Sequence, residues 1–191
     1  KIVKNRACQR GADARHLLVG GDYTRSDESG DAHQFTRALA EHARAAGVDF
    51  RYGTTIERLA AAGSKVAGVV VHNGKEPELL TADAYVVALG SYSSLLLRPI
   101  GLDIPVFPAK GYSVTLPLAE ASGAPSVSLT DDERKLVFSR LGNRLRIAGT
   151  AEFTGYNLDL NPVRCQSLIE RTRQLFPRLQ TVGEPALWCG L

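Results

Sequence analysis

Between Asp31 and Gly47 apolar residues recur at helical spacing, with Phe35, Ala38, Leu39, Ala43 and Ala46 on one face, so the pattern predicts an amphipathic helix. Asp31 followed by Gln34 has the spacing of a capping box, and Gly47 stands where a left-handed C-terminal residue is wanted. Residues 48–52 and 54–59 read as two short extended pieces. Residues 66–72 and 78–81 flank Asn73-Gly74, a dipeptide that accepts positive φ, and predict an antiparallel hairpin. Then Ala84-Tyr85-Val86-Val87-Ala88-Leu89 runs apolar without alternation, the pattern of a strand buried on both faces. It ends in Gly90-Ser91-Tyr92-Ser93 and continues into Leu95, Leu96 and Leu97. Strand, glycine turn and helix in that order would place backbone amides at the end of a parallel strand.

From Ile104 the pattern changes. Prolines at 105, 108 and 117 enclose an alternating stretch in which Tyr112, Val114 and Leu116 face one way and Gly111, Ser113 and Thr115 the other. Leu136-Val137-Phe138 and Leu145-Arg146-Ile147 bracket Leu141-Gly142-Asn143, a second hairpin. Asn161 as N-cap and Pro162 at the first helical position open a helix with Cys165, Leu168, Ile169, Thr172 and Phe176 on one face, stopped by Pro177. The fold class is therefore α/β in two organisations. Residues 27–103 behave as part of a doubly wound domain, residues 104–184 as an antiparallel sheet with helical cover, and residues 185–191 as a return toward the first. Residues 1–26 read as an edge segment, the first 20 of them carrying five basic residues and no usable period.

Composition narrows the class without naming a function. The chain has 191 residues, 44% hydrophobic and 23% charged, with a formal net charge of +3, which excludes disordered, collagenous and coiled-coil proteins. Its longest strongly apolar run, residues 84–89, falls far short of the roughly 18 residues that cross a bilayer. A small charge surplus spread along the chain points away from nucleic acid. Cys8, Cys165 and Cys189 are odd in number and far apart, which suits a reducing, cytosol-facing compartment. The absence of Met and the start at Lys1 suggest a piece of something longer.

No metal-ligand spacing joins His16, His33, His42 and His72, so no metal is expected. Gly90-Ser91-Tyr92-Ser93-Ser94 fails the G-x-S-x-G pattern of a serine hydrolase. Arg134, Lys135, Arg140, Arg144 and Arg146 read as the exposed face of a sheet. No G-x-G-x-x-G occurs, so any dinucleotide pyrophosphate would be cradled elsewhere.

Five blocks in order carry a resemblance. They are Asp27-Glu28-Ser29-Gly30-Asp31 with Phe35, then residues 82–93 from Ala82 to Ser93, then residues 104–113 from Ile104 to Ser113, including Lys110-Gly111-Tyr112-Ser113. Asn143-Arg144-Leu145-Arg146-Ile147-Ala148-Gly149 and Trp188-Cys189-Gly190-Leu191 complete them. Together they resemble the family of FAD-dependent D-amino acid, glycine and sarcosine oxidases, and within it the small, flavin-bearing subunit of the D-amino acid dehydrogenases.

The resemblance implies a split, Rossmann-like FAD-binding domain with an inserted antiparallel substrate-binding sheet. It matches Ile56, in Thr55-Ile56-Glu57, to a backbone contact with the adenine, and Ala88, Gly90 and Ser91 to the turn near the ribose and pyrophosphate. Ile56 reads equally well as a core residue. Tyr112, beside Gly111, matches a sheet position facing flavin and substrate, with a strand tyrosine exposed on the far face as the alternative. No catalytic side chain is implied. The implied reaction is oxidative deamination of a D-amino acid by hydride transfer to FAD, with electrons passing to a respiratory quinone at the cytoplasmic face of the inner membrane and possible peripheral membrane contact. A glycine or sarcosine type oxidase and a noncatalytic amino-acid-binding module are the alternatives. The family's N-terminal glycine motif and its Arg-Pro segment after Trp-Cys-Gly-Leu are absent from these residues, so the chain alone is expected to be inactive.

Overall fold

The computed structural model describes residues 20–26 and 28–191. The expectations placed on Cys8, His16, Val19 and Asp27 lie outside the described residues. The described chain divides into two compact units, one formed by Ala32–Pro108 and the other by Ala109–Leu191 with residues 20–26 and 28–31. The change of character at Ile104 thus has its structural counterpart a few residues later, and residues 28–31 group with the second unit.

The first unit begins with helix α1, Ala32–Ala45. It ends as its sequence dictates. Gly47 adopts φ 96°, its N–H donates to the Arg44 carbonyl at 3.0 Å, and the Val48 N–H reaches back to the Ala43 carbonyl at 3.0 Å. These two bonds form a Schellman motif and satisfy carbonyls that the last turn leaves free. The predicted apolar face forms but stays uncovered, with Phe35 70% and Leu39 55% exposed.

Strands β1 (Thr55–Ala62), β2 (Lys65–His72) and β3 (Glu78–Leu80) make a three-stranded antiparallel sheet in that order. Leu59, Val70 and Val71 are its buried side chains. Residues 48–52 are not a strand. Side chains hold them instead: the rings of Phe50 and Tyr52 stack at 5.6 Å, Arg44 lies over Phe50, and Arg51 binds Glu78 at 3.1 Å.

The run at residues 84–89 is likewise no strand. It pairs with nothing among the described residues, where both sheets are wholly antiparallel, and Val86 is 91% exposed. A segment patterned for burial on both faces needs a neighbour on each side, and this unit supplies none. After it come a single 3-10 turn (Gly90–Tyr92), the short helix α2 (Ser93–Leu97) and another 3-10 turn (Arg98–Ile100).

The second unit is a five-stranded antiparallel sheet in the order β5-β6-β7-β4-β8, built from β4 (Lys110–Pro117), β5 (Leu129–Asp131), β6 (Leu136–Leu141), β7 (Arg144–Glu152) and β8 (Ala186–Gly190). Residues 185–191, read from sequence as leading back to the first organisation, instead donate β8 to this sheet, where Tyr112 pairs with Cys189 and Ser113 with Trp188. Helix α3 (Pro162–Leu175) starts as predicted, with Asn161 Oδ1 accepting the Val163 N–H at 3.1 Å and Pro162 at a position that needs no donor.

One face of the sheet packs on α3. Tyr112, Val114, Leu116, Phe138, Leu145 and Ile147 meet Cys165, Leu168, Leu175 and Phe176 in one core, and the Phe138 and Phe176 rings cross edge to face at 5.2 Å. By alternation the other face carries Ser113, Thr115, Arg146 and Trp188, and α3 does not cover it.

Candidate functional site

In the first unit, the turn after residues 84–89 is braced from behind. Gly90 takes φ 55°, a conformation costly for other residues, at the first position of the 3-10 turn. The Leu89 N–H donates to Ser93 Oγ at 3.2 Å, and Ser94 Oγ donates to the Ser91 carbonyl at 3.1 Å. Ser93 and Ser94 are both buried. The sequence offers Ser93 and Ser94 no role beyond a rejected hydrolase motif, because the contact of their hydroxyls with their own backbone is one that spacing alone does not reveal.

Of the residues matched to the cofactor, Ala88 and Gly90 are exposed, Ser91 is partly covered, and Ile56 on β1 is 40% exposed. That exposure rules out the plain core role for Ile56 within this unit. Leu89 and Val86, on either side of Ala88 in sequence, are also open to solvent. The residues present do not form a glycine-rich phosphate cradle.

In the second unit, the end of β4 holds a buried ionic cluster. Lys110 is 3% exposed, and its Nζ lies 3.0 Å from Glu152 Oε2 and donates to the Asp159 carbonyl at 3.0 Å. The Tyr112 hydroxyl donates to the same Glu152 oxygen at 2.5 Å. Arg164, from α3, places Nε 3.4 Å from Glu152 Oε1 and donates through Nη1 to the Ala151 carbonyl at 3.3 Å.

The hydrogen bonds from Tyr112 and Lys110 hold the Glu152 carboxyl down to about 2. Burial, together with the Glu152 carboxylate, pushes the Tyr112 phenol up. Burial is the largest single influence on the Lys110 ammonium and works against it, but Glu152 and Tyr112 together outweigh it and leave Lys110 raised. All three groups therefore keep their ordinary charge states more firmly than in water. The arrangement fixes geometry, and none of its members is poised to exchange a proton near neutrality.

This cluster changes the picture of Tyr112. Its ring is 2% exposed, in the core with Val114 and Leu116, and points to the helix-covered side of the sheet. Both sequence alternatives, a pocket-lining phenol and a far-face exposed one, give way to a buried phenol anchored on Glu152. Gly111 beside it is partly exposed, with open space where a side chain would stand. Between Gly111, paired with Ala151, and Tyr112, paired with Gly149, β7 carries one extra residue, Thr150, at φ 59°. This bulge sits two residues before Glu152 on β7 and was invisible to period counting.

The family model described as FAD dependent oxidoreductase matches residues 4–191. A D-amino acid dehydrogenase of Dechloromonas aromatica is 80% identical over 179 residues, covering 93% of this chain and 43% of that protein. One of Paramagnetospirillum magneticum is 51% identical over 174 residues, covering 91% of this chain and 40% of that protein. The chain thus spans less than half the length of these relatives. Among solved structures, the glycine oxidase of Bacillus cereus superposes with a TM-score of 0.67 at 24% identity, over 84% of this chain and 43% of that one. The L-proline dehydrogenase of P. horikoshii gives 0.69 at 16% identity, over 84% and 43%. These two likenesses speak for the fold. With the match running almost from end to end, the chain belongs to the FAD-dependent oxidoreductase family.

Proposed function

We propose that the chain is part of a flavoenzyme that oxidatively deaminates D-amino acids and passes the electrons to a respiratory acceptor rather than to oxygen. The observation that carries this reading is the 80% identity to a D-amino acid dehydrogenase over 93% of the chain. FAD, when bound, supplies the ring that accepts the hydride. The work of this chain is binding and orientation. Ile56, Ala88, Gly90 and Ser91 would offer backbone and apolar surface to the adenosine end. Gly111 would let a ligand approach the sheet, and Tyr112 would act from behind it by fixing β4 through Glu152. No side chain here is assigned a proton-transfer role.

By the same resemblance, the whole enzyme works at the cytoplasmic side of the inner membrane with a quinone as acceptor, as a peripheral protein. No helix among the described residues is long and apolar enough to cross a membrane.

The test is an anaerobic assay of the whole enzyme containing this chain, with an artificial dye acceptor and each enantiomer of alanine. Reduction with D-alanine and none with L-alanine is the expected outcome. Equal rates, activity on N-methylglycine alone, or hydrogen peroxide released in stoichiometric yield under air would overturn it.

A further inference from the structure

The face of the five-stranded sheet that α3 leaves uncovered carries one guanidinium in a built setting. Arg146 stands opposite Thr115 on β4 and Ser139 on β6. Its Nη2 donates to Ser113 Oγ at 3.1 Å, and Ser113 is only 2% exposed. Its Cζ lies 5.6 Å from the centre of the Trp188 ring, within the range of a cation–π contact. Trp188 is itself constrained. A Cβ at Gly190 would come 2.4 Å from Trp188 Cη2, so a glycine at 190 is what lets the indole lie back along β8. Trp188 stays 54% exposed in this position, and one side of the pair remains open to solvent.

Charge balance sets Arg146 apart from the other packed guanidiniums of this unit. Arg171 has Asp131 at 2.6 Å and Arg164 has Glu152 at 3.4 Å. Among the described residues no carboxylate lies within ion-pair distance of Arg146. A guanidinium presents five donors in a planar fork, and Ser113 takes one of them. The remainder match a carboxylate, which accepts two parallel hydrogen bonds, and the indole beside it offers an apolar plate for the aliphatic part of the same molecule.

We propose that Arg146, held by Ser113 and Trp188, is a carboxylate-binding residue on the open face of the sheet that takes small amino-acid-like organic acids. The amino-acid nature of the ligand rests on the proposed function, whereas the carboxylate site does not.

Trp188 is the only tryptophan of the chain, so its emission reports on this site directly and needs no flavin. The chain is titrated with glutarate and with D-glutamate, using sodium chloride at equal ionic strength and the neutral glutaramide as references. A saturable emission change with both acids and with neither reference is expected, lost in Arg146→Gln with the circular dichroism unchanged. Arg146→Lys keeps the charge but not the fork, and should bind about tenfold more weakly. It also decides the matter should the Gln variant fail to fold. A response no larger than that to chloride, an equal response in Arg146→Gln, or unchanged affinity in Arg146→Lys overturns the proposal. A response to glutarate with none to D-glutamate keeps the carboxylate site and overturns the amino-acid ligand. The enantiomer assay stands apart, so failure of either reading leaves the other intact.

Discussion

Lys110 and Glu152 stand directly opposite each other in the β4–β7 register, with Nζ and Oε2 3.0 Å apart and the ammonium almost wholly buried. Glu152 also accepts the Tyr112 hydroxyl and faces Arg164, so one carboxylate on β7 answers two cations and a phenol from strand β4 and helix α3. Removing that carboxylate would leave a buried ammonium with the Asp159 carbonyl and the Tyr112 side chain but no counter-charge of its own, which is the costly half of a buried pair.

The pH dependence of stability follows from this pair. Glu152 titrates at about 2 in the fold against 4.5 as a free group, so its contribution is present in full above 4.5 and is lost as pH falls toward 2. Lys110 is raised, so its contribution is present below 10.5 and is lost as pH rises through the higher folded value. Urea midpoints of the wild type should therefore fall on acidification below 4.5, and Glu152→Gln should flatten that slope while lowering the plateau. Equal slopes in the two proteins would show that other carboxylates govern acid unfolding.

Tyr112→Phe keeps the ring in the core and removes the hydroxyl that donates to Glu152. The Glu152 carboxyl should then titrate higher, and the acid unfolding midpoint should move to higher pH. In the whole enzyme any change in kcat/KM should come with this loss of stability. Altered kinetics at unchanged acid stability would put the phenol in contact with substrate instead.

Local rules at residue separations of two to five were legible. Gly47, Asn161-Pro162 and Gly142-Asn143 each mark the helix or hairpin end that the structure places there. The faces of β4 and α3 also emerged correctly, because a period of 2 or 3.6 records which side is buried. What alternation could not record is which of the two faces a helix would cover, and this misplaced Tyr112. Contacts across 40 or more residues, such as Lys110 to Glu152 and to Asp159, leave no periodic trace at all. Residues 84–89 expose a different limit, since their pattern states a need for burial and says nothing of what provides it.

Two substitutions in α3 test how the second unit is held. Asn161→Ala removes the acceptor for the Val163 N–H and should cost about 0.5–2 kcal/mol. Leu168→Ala hollows a side chain with no exposed surface and should cost about 2–5 kcal/mol. Denaturant unfolding of both variants checks the order, and a larger loss at Asn161 would mean that the core tolerates the cavity by collapsing into it.

Isothermal titration of the 191-residue chain with FAD should show no tight, saturable binding, because no glycine-rich turn is present to hold the pyrophosphate. In the whole enzyme Gly90→Ala, forced to hold an alanine at φ 55°, should lose roughly 1–2 kcal/mol of stability. Tight binding by the chain alone would place the main anchor of the cofactor among the residues described.

The exposed run at residues 84–89 has a practical consequence for anyone handling the chain. Ala84-Tyr85-Val86-Val87-Ala88-Leu89 is six residues without charge, proline or glycine, and among the described residues it pairs with no strand. Such a segment is a template onto which the same hexapeptide of another molecule can stack in register, so concentrated solutions should gel or seed thioflavin-positive fibrils. The substitution Val86→Lys, at the large apolar side chain most open to solvent among the described residues, would act as a gatekeeper and lengthen the lag before fibrils form.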